Sequence, residues 1–460
     1  MQNFLSVDRI EPQKRLVGER IRDFDEVYLP FNKLEARTQS ERCVQCGDPY
    51  CMNKCPLHNF IPQWLKSVAE ANLELAFKLS NESSPFPEIM GRVCPHDTLC
   101  EGDCTLNDGH GAITIGSIER YITEKGFSKG LKIEFSSEKI GKSVGIIGSG
   151  PAGLSLATYL LRAGIDVTIY ERASRAGGLL TYGIPGFKLD KSVVQKRIDM
   201  LLEAGLNLKT NCEVGKDISF DEVRNSHDAI FIGIGATKAR RANIENEDSD
   251  GVYMAMEFLT NIQKKLFGEE FDSSIDVSGK NVIVIGGGDT AMDCIRTAIR
   301  EGAKSVTCHY RRDDNNMPGS YKEYRNAIEE GARFEFFSTP KKIEVEDGKV
   351  KGVIFAKTEL SERDETGRQR VIEIPDSEIS YPADVVIMAL GFEPAKPKFL
   401  EESGIELNSW GGIVTSENGE TSIENIYSGG DAVRGADLVV RAVLDGREVA
   451  KHIIKKLTSQ

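Results

Sequence analysis

Nowhere in the 460 residues does an apolar run approach the roughly 18 positions of a membrane-spanning helix, so no span is expected. The opening stretch, Met1 to Arg15, lacks the apolar core of a secretory leader; it is polar and interrupted by Pro12. An excess of positive charge is missing as well. Lys and Arg number 58 against 71 Asp and Glu, for a net charge of −13. Nucleic-acid binding needs a basic surface to neutralise phosphates, so that class is excluded as a main partner. An acidic surface suits a protein partner without naming one. These absences point to the cytoplasm and its reducing conditions. The rest is ordinary for folded protein, with 40% hydrophobic and 28% charged residues. At roughly 150 residues per domain the chain has room for about three.

Ten cysteines are present, and seven lie between Cys43 and Cys104. In a reducing compartment such clustering signals metal more often than disulfides. The pattern is Cys43-x2-Cys46-x4-Cys51-x3-Cys55-Pro56 and, 38 residues later, Cys94-Pro95-x4-Cys100-x3-Cys104. The first run is close to the bacterial ferredoxin spacing, in which the fourth cysteine ligates the other cluster. Its middle gap is four residues where the ferredoxin run has two. Two four-iron cubanes need eight ligands, and seven cysteines supply one too few. Either one cluster takes a non-cysteine ligand or one is a three-iron cluster. Zinc is the rival, because CxxC pairs are common zinc ligands. The cysteine number, the Cys-Pro end and the nucleotide motifs below favour iron. His58 and His96 are expected to be neighbours of the metal loops and not ligands. Cys212, Cys294 and Cys308 are expected as buried small hydrophobes.

Residues 61–80 are expected to form one helix, from the spacing of Leu65, Val68, Leu73, Ala76 and Leu79. Two prolines make 83–89 a breaker, and 124–142 has the texture of a polar linker. At Val144 the pattern changes. Residues 142–172 read as strand, glycine turn, helix, strand, and 280–312 repeat that form. Two βαβ units imply two nucleotide-binding layers of doubly wound type.

The first turn is Gly148-x-Gly150-x-x-Gly153. Gly148 permits the tight turn, Gly150 lets the backbone approach a pyrophosphate, and Gly153 lets helix and strand pack closely. The pyrophosphate then sits at a helix N-terminus, where free N–H groups favour anions. Glu171, 23 residues after Gly148, stands where a carboxylate should accept ribose hydroxyls. The second turn is Gly286-x-Gly288-x-x-Ala291, and its second strand ends in His309-Tyr310-Arg311-Arg312 with no acid. A carboxylate repels a 2′-phosphate, whereas a guanidinium pairs with it, so NADP is favoured over NAD. Asp313 and Asp314 follow at once and weigh against that reading. Two dinucleotide sites suggest FAD plus a nicotinamide. The Gly429-Gly430-Asp431 turn suits the ribityl and pyrophosphate of FAD, and a helix starting near Leu438 would turn its positive end toward the flavin. A simple helix cap by Asp431 is the plainer alternative. Residues 340–382 read as antiparallel strands on the second layer. The stretch 172–183 lacks the redox cysteine pair of disulfide reductases, so electrons must leave the flavin by another route.

Long stretches carry a family resemblance: RCVQCGDPYCMNKCPLHNFIPQWL, GRVCPHDTLCEGDCTLNDGHGAITIGSIERYI, GLLTYGIPGFKL, VIGGGDTAMDC, VTCHYRRDDNNMPGS and SGGDAVRGADLVV. The chain resembles the small (β) subunits of bacterial NADPH-dependent glutamate synthases. The same module is similar to the N-terminal half of dihydropyrimidine dehydrogenase and to the large subunit of ferredoxin-dependent NADPH transhydrogenases. RRDDNNMPGS looks most like the glutamate synthase branch. The resemblance implies an α/β fold with two doubly wound dinucleotide-binding domains of glutathione-reductase type, preceded by a mainly helical iron–sulfur domain. It implies a helical domain over 1–140, a discontinuous FAD domain over 141–278 and 392–460, and an inserted NADPH domain over 279–391. Two 4Fe-4S clusters are implied, one held by Cys43, Cys46, Cys51 and Cys104, the other by Cys55, Cys94, Cys100 and Glu119. The implied FAD positions are Glu171, Gly178, Leu179, Lys188 and Asp431; the NADPH positions are Gly288, Asp289, Thr290, Arg311, Arg312 and Gly391. The expected reaction is hydride transfer from NADPH to FAD, then electron transfer through the clusters. The implied acceptor is a large (α) subunit, or another redox protein, with no side-chain acid or base essential. Nothing in the chain resembles an amidotransferase, so glutamate formation is expected to lie in the partner. A nucleotide-binding iron–sulfur sensor without catalysis is the rival of another class.

Overall fold

The fold was obtained as a computed structural model, which describes residues 3–365 and 369–459. The N-terminal part is helical: α1 (Val17–Arg20), α2 (Lys33–Glu41), α3 (Tyr50–Lys54), α4 (Ile61–Ala69), α5 (Leu73–Ser83), α6 (Pro87–Val93), the kinked turn α7 (Asn107–His110) and α8 (Ile115–Ser128). Trp64, Leu65, Ile118 and Ile122 anchor its core. The expected single helix over 61–80 is two. Ala71 adopts a left-handed φ of 61°, and the Asn72 side chain accepts from the Leu75 amide at 3.1 Å. A local cap thus overrides a continuous apolar period. Pro87 does more than break, because it opens α6 at the position where a missing N–H costs nothing. The linker starts only after Ser128, where α8 ends.

Along the chain there follow β1 (Ser143–Ile147), α9 (Pro151–Arg162), β2 (Asp166–Tyr170), α10 (Leu179–Tyr182), α11 (Lys191–Glu203), β3 (Asn207–Lys209), α12 (Phe220–Asn225), β4 (Ala229–Ile232) and β5 (Lys238–Ala239). Next come β6 (Val252–Met254), α13 (Ala255–Phe267), β7 (Asn281–Ile285), α14 (Asp289–Arg300), β8 (Ser305–His309), α15 (Tyr321–Glu329) and β9 (Arg333–Glu335). The expected antiparallel strands are β10 (Ser338–Glu346), β11 (Lys349–Leu360), β12 (Val371–Glu373) and β13 (Ile379–Pro382). The chain closes with β14 (Val385–Met388), β15 (Phe392–Glu393), α16 (Lys398–Glu402), β16 (Ile426–Ser428), α17 (Asp431–Arg434) and α18 (Val439–Thr458).

The first sheet runs β16-β4-β1-β2-β3, with every pairing parallel. Helices cover it, so β4 is buried at every position and shows no polar alternation. Helix α18 packs on α9 at Gly446, where a methyl group would meet the Ala152 carbonyl oxygen at 2.2 Å. The second sheet, β6-β14-β7-β8-β9, is likewise parallel. Its edge strand β6 pairs Val252 with Val386, so the second layer begins ahead of the expected boundary at 279. The glycine motif at 286 marks the start of its βαβ unit, but its outermost strand and α13 come first in sequence. The chain crosses between layers at β5 and returns at β15, and these two pair as a short antiparallel ribbon. Among the described residues no helix is long and apolar enough to cross a membrane.

Candidate functional site

Two cavities lie in the helical part. The first is lined by Cys43, Cys46, Cys51 and Cys104, with Leu65, Ile113 and Pro62. The second is lined by Cys55, Cys94, Cys100 and Glu119, with Leu57, Met90 and Leu99. Ile115, the first residue of α8, forms part of both walls. One short helix serves both cavities. Cys51 sits inside α3, whereas Cys55 ends it with extended backbone (ψ 120°) and lines the other cavity. Cys94 ends α6 in the same manner (ψ 141°).

Burial pushes the Cys51 thiol up to about 12 and the Cys94 and Cys100 thiols well above their ordinary range. Among the described residues no Lys or Arg lines either cavity to hold a thiolate. A metal centre deprotonates coordinating thiols outright, and it is the cation that such a donor set fits. Among the described residues no three His, Cys, Asp or Glu side chains converge as a single ion requires. The donors ring a volume, which suits a multi-atom cluster better than zinc. Glu119 is 5% exposed, and its carboxylate accepts from Asn59 Nδ2 at 2.8 Å. Burial, with the charge of Glu88, pushes it up to about 8. His96 also lines the second cavity, its Nε2 buried without a hydrogen-bond partner among the described residues. His58 lines neither.

The two glycine turns are built alike. Gly148 and Gly286 have φ of +97° and +143°, and a methyl group on them would strike the carbonyl oxygens of Gly233 at 2.5 Å and Ala389 at 2.2 Å. A Cβ on Gly153 would lie 2.2 Å from the Gly148 oxygen. The middle glycines are the reverse: nothing lies within 4 Å of a Cβ on Gly150 or Gly288. Those two positions N-cap α9 and α14 and face open space, the cradle that a pyrophosphate needs. Gly178 closes on the first turn, its Cβ position 2.9 Å from Gly150 Cα, and Leu179 opens α10 beside it. Glu171 is buried after β2; its carboxylate accepts from the Ser149 amide at 3.0 Å and the Ala173 amide at 2.8 Å. The Ser149 hydroxyl donates to the same oxygen as the Ser149 amide, Oε2, so the capacity left for a ribose hydroxyl is on Oε1, which accepts from Ala173. Asp431 Oδ1 is buried without a partner among the described residues. It opens α17, whose N-cap is Gly430. Burial pushes its carboxyl up to about 7. An orphaned acceptor beside the Gly429-Gly430 turn fits a hydroxyl-bearing ligand.

At the second turn, Thr290 follows in the first turn of α14, and Gly391 (φ +93°) lies between β14 and β15. Asp289 is engaged with its own chain: its Oδ1 accepts from the Ser320 amide at 3.0 Å, while the Gly319 amide donates to the Gly287 oxygen at 3.0 Å. Sequence reasoning missed Gly319 and Ser320, because the loop returns to the turn only in three dimensions. Arg311 is exposed, while Arg312 is half-buried with its Nε lacking a partner among the described residues. Asp313 Oδ1 accepts from the Asn316 amide at 2.9 Å, so its charge is turned into its own loop and away from the arginines' task. Lys188 Nζ lies 2.9 Å from Asp293 Oδ1, an ion pair that joins the first layer to α14 of the second. Burial opposes the charge on Lys188, but Asp293, Glu323 and Asp289 outweigh it and raise the pKa above its ordinary value. Burial pushes the Asp293 carboxyl up to about 6 against the pull of Lys188. Asp293 was not foreseen; the signal was an acid amid Ala291, Met292, Cys294 and Ile295, all buried. Of the scattered cysteines, Cys294 and Cys308 are fully buried, but Cys212 only partly.

Residues 20–131 match the family model described as dihydropyrimidine dehydrogenase domain II, 4Fe-4S cluster, and residues 142–446 match that of the pyridine nucleotide-disulphide oxidoreductases. The glutamate synthase (NADPH) small chain of Escherichia coli (strain K12) is 47% identical, with 99% of this chain and 98% of the relative covered. That of Azospirillum brasilense is 44% identical, over 98% and 95%. The putative oxidoreductase AegA of Escherichia coli (strain K12) is 48% identical, over 97% of this chain and 69% of the relative. Among solved structures, FprA of Mycobacterium tuberculosis in complex with NADPH aligns with a TM-score of 0.58 at 19% identity, over 69% of this chain and 85% of its own. Thioredoxin reductase of Lactococcus lactis aligns at 0.52 and 22%, over 69% and 100%. At such identities these two structures bear on the fold alone.

Proposed function

As a member of the family of glutamate synthase small chains, the chain is an NADPH-dependent flavoprotein oxidoreductase with a 4Fe-4S domain, and we propose that it holds two clusters and delivers electrons to a glutamate synthase large chain. The observation that carries the two-cluster reading is the sorting of eight donors into two separate cavities, four to each. Cys43, Cys46, Cys51 and Cys104 would hold one cluster, and Cys55, Cys94, Cys100 and Glu119 the other. FAD would lie along Gly148, Gly150 and Gly153, with Glu171 at the ribose, Gly178 and Leu179 against the turn, and Asp431 accepting from a ligand hydroxyl. NADPH would lie along Gly286, Gly288 and Thr290, with Arg311 and Arg312 at the 2′-phosphate and Gly391 leaving room ahead of β15. When bound, the flavin supplies the two-electron to one-electron conversion between nicotinamide and iron–sulfur.

The side chains bind and orient. Lys188 and Asp293 lock the turn carrying Gly178 and Leu179 to the helix that starts at Asp289, so the two dinucleotide sites keep one mutual distance. The apolar lining of both cavities excludes water from the cysteines. Asp289 holds the Gly319–Ser320 loop against the second glycine turn. No side chain is required as acid or base.

Anaerobically purified protein is expected to contain one FAD, to reduce a dye with NADPH, and to hold iron and acid-labile sulfide for two clusters. Glu119→Ala should lose roughly half of the sulfide while the first cavity stays filled. Loss of all of it, or of none, would remove Glu119 from the ligand set. A second reading, with another redox protein as acceptor, is favoured by the likeness to AegA, which extends beyond the matched region. Co-purification with a large chain separates the two.

A further inference from the structure

Ahead of α2 the chain makes a loop that touches all three parts of the molecule. The loop closes on itself: the Arg15 amide donates to Val27 O at 2.9 Å and the Leu29 amide to Gln13 O at 2.8 Å. Toward the second layer, Arg20 is 1% exposed, and its guanidinium donates to Glu330 at 3.0 Å and Glu329 at 2.9 Å. Lys14 joins Glu329 at 2.8 Å, and Arg300 of α14 donates to the Asp23 carbonyl at 3.0 Å. Toward the first layer, the Val27 amide donates to Phe187 O at 3.1 Å. Phe187 precedes Lys188, and Arg300 and Arg296 stack on its ring at 4.1 and 4.3 Å. Toward the cysteine domain, Glu26 pairs with Arg92 at 2.6 Å and Arg120 at 2.7 Å. These arginines flank Cys94 and Glu119 in sequence.

The covalent connection between the two layers is only the β5–β15 ribbon. A domain on such a connection moves unless its interface is strong. Here buried ion pairs run through the loop, beside the direct Lys188–Asp293 pair, and not through the ribbon. We propose that residues 14–28 are a positioning strap, with Arg20 as its fastening, which holds the second dinucleotide layer in one orientation against the first throughout turnover. The inference rests on the NADPH and flavin sites assigned above. Arg20 touches neither site; it acts through Glu330 and α14. Hydride transfer is steep in distance, and a misplacement of about 1 Å can cost about a hundredfold in rate.

Arg20→Ala, purified with its flavin and iron, is expected to lower the rate constant for flavin reduction by NADPH about tenfold or more. NADP+ affinity should stay within about twofold, since the second glycine turn and its arginines are intact. Arg20→Lys should recover part of the rate. An unchanged rate constant, or weakened NADP+ binding with the rate constant unchanged, would overturn the proposal. Hydrogen exchange on the unaltered holoenzyme gives an answer even where Arg20→Ala does not fold. The Val27 and Leu29 amides should exchange as slowly with NADP+ or NADPH present as without; faster exchange on either addition means that the strap releases and the proposal is wrong. If NADPH fails to reduce the flavin of the unaltered protein, the fault lies in the assigned function, and the exchange measured with NADP+ still judges the strap.

Discussion

A buried acceptor with no donor raises the free energy of a fold, and Asp431 Oδ1 is one among the described residues. Its carboxyl titrates near 7 in the folded chain because burial disfavours the anion, against about 3.9 when unfolded. Below pH 4 the group is protonated in both states and costs nothing. As pH rises from 4 to 7 the unfolded chain ionises first, so the flavin-free protein loses stability, and above 7 the loss is complete. Asp431→Asn should therefore stabilise flavin-free protein at pH 8 by on the order of 1–3 kcal/mol, seen as a higher melting temperature, and leave it unchanged near pH 4. Thermal melts at the two pH values check this; an equal gain at both would tie the effect to shape and not to charge. The same variant should release FAD more readily. At this scale the sequence was most legible where chemistry dictates residue type. The seven clustered cysteines were legible because few donors besides thiolates bind iron; their sorting into two sets, and Glu119 as the eighth ligand, came only with the family resemblance. Asp293 and Ser320 were illegible because their roles arise from contacts with Lys188 and Asp289 across long sequence separations.

Elements follow local rules, and the exceptions are informative. The apolar period that suggested one helix over 61–80 is real on both sides of the break, but periodicity does not register a left-handed residue. Ala71 is exposed at φ 61°, a conformation that costs an L-residue roughly 1–2 kcal/mol. Ala71→Gly removes that cost and adds some unfolded-state entropy, so a net gain of roughly 0.5–1 kcal/mol is expected from urea midpoints. At the end of β8 the element carries the two arginines proposed to set specificity. Both arginines leave the strand tip, and Asp313 is turned away. Replacing Arg311 and Arg312 together by Ala should raise KM for NADPH at least about tenfold while KM for NADH moves little. Equal effects on both would remove the 2′-phosphate assignment. The antiparallel strands were readable from alternation, and both βαβ units from their glycines. The boundary at 279 was not, since an edge strand such as β6 is assigned to a sheet only by its partner.

At the scale of the molecule, the order of layers was legible and their fastening was not. Two glycine motifs announce two sheets, and seven clustered cysteines announce a separate domain. Nothing in the text of residues 14–28 distinguishes a strap from a solvated loop, because its arginines and acids meet partners that only the folded chain supplies. Arg20 finds Glu330 across 310 positions. The same fact bears on how the chain is made. As synthesis proceeds from the N-terminus, Arg20 has no counter-ion until α15 has emerged, and β4 has no outer neighbour until β16 has. The cysteine domain and first layer, begun earliest, are therefore completed last. Any pause or truncation before α15 leaves a charged loop and an open sheet edge exposed together.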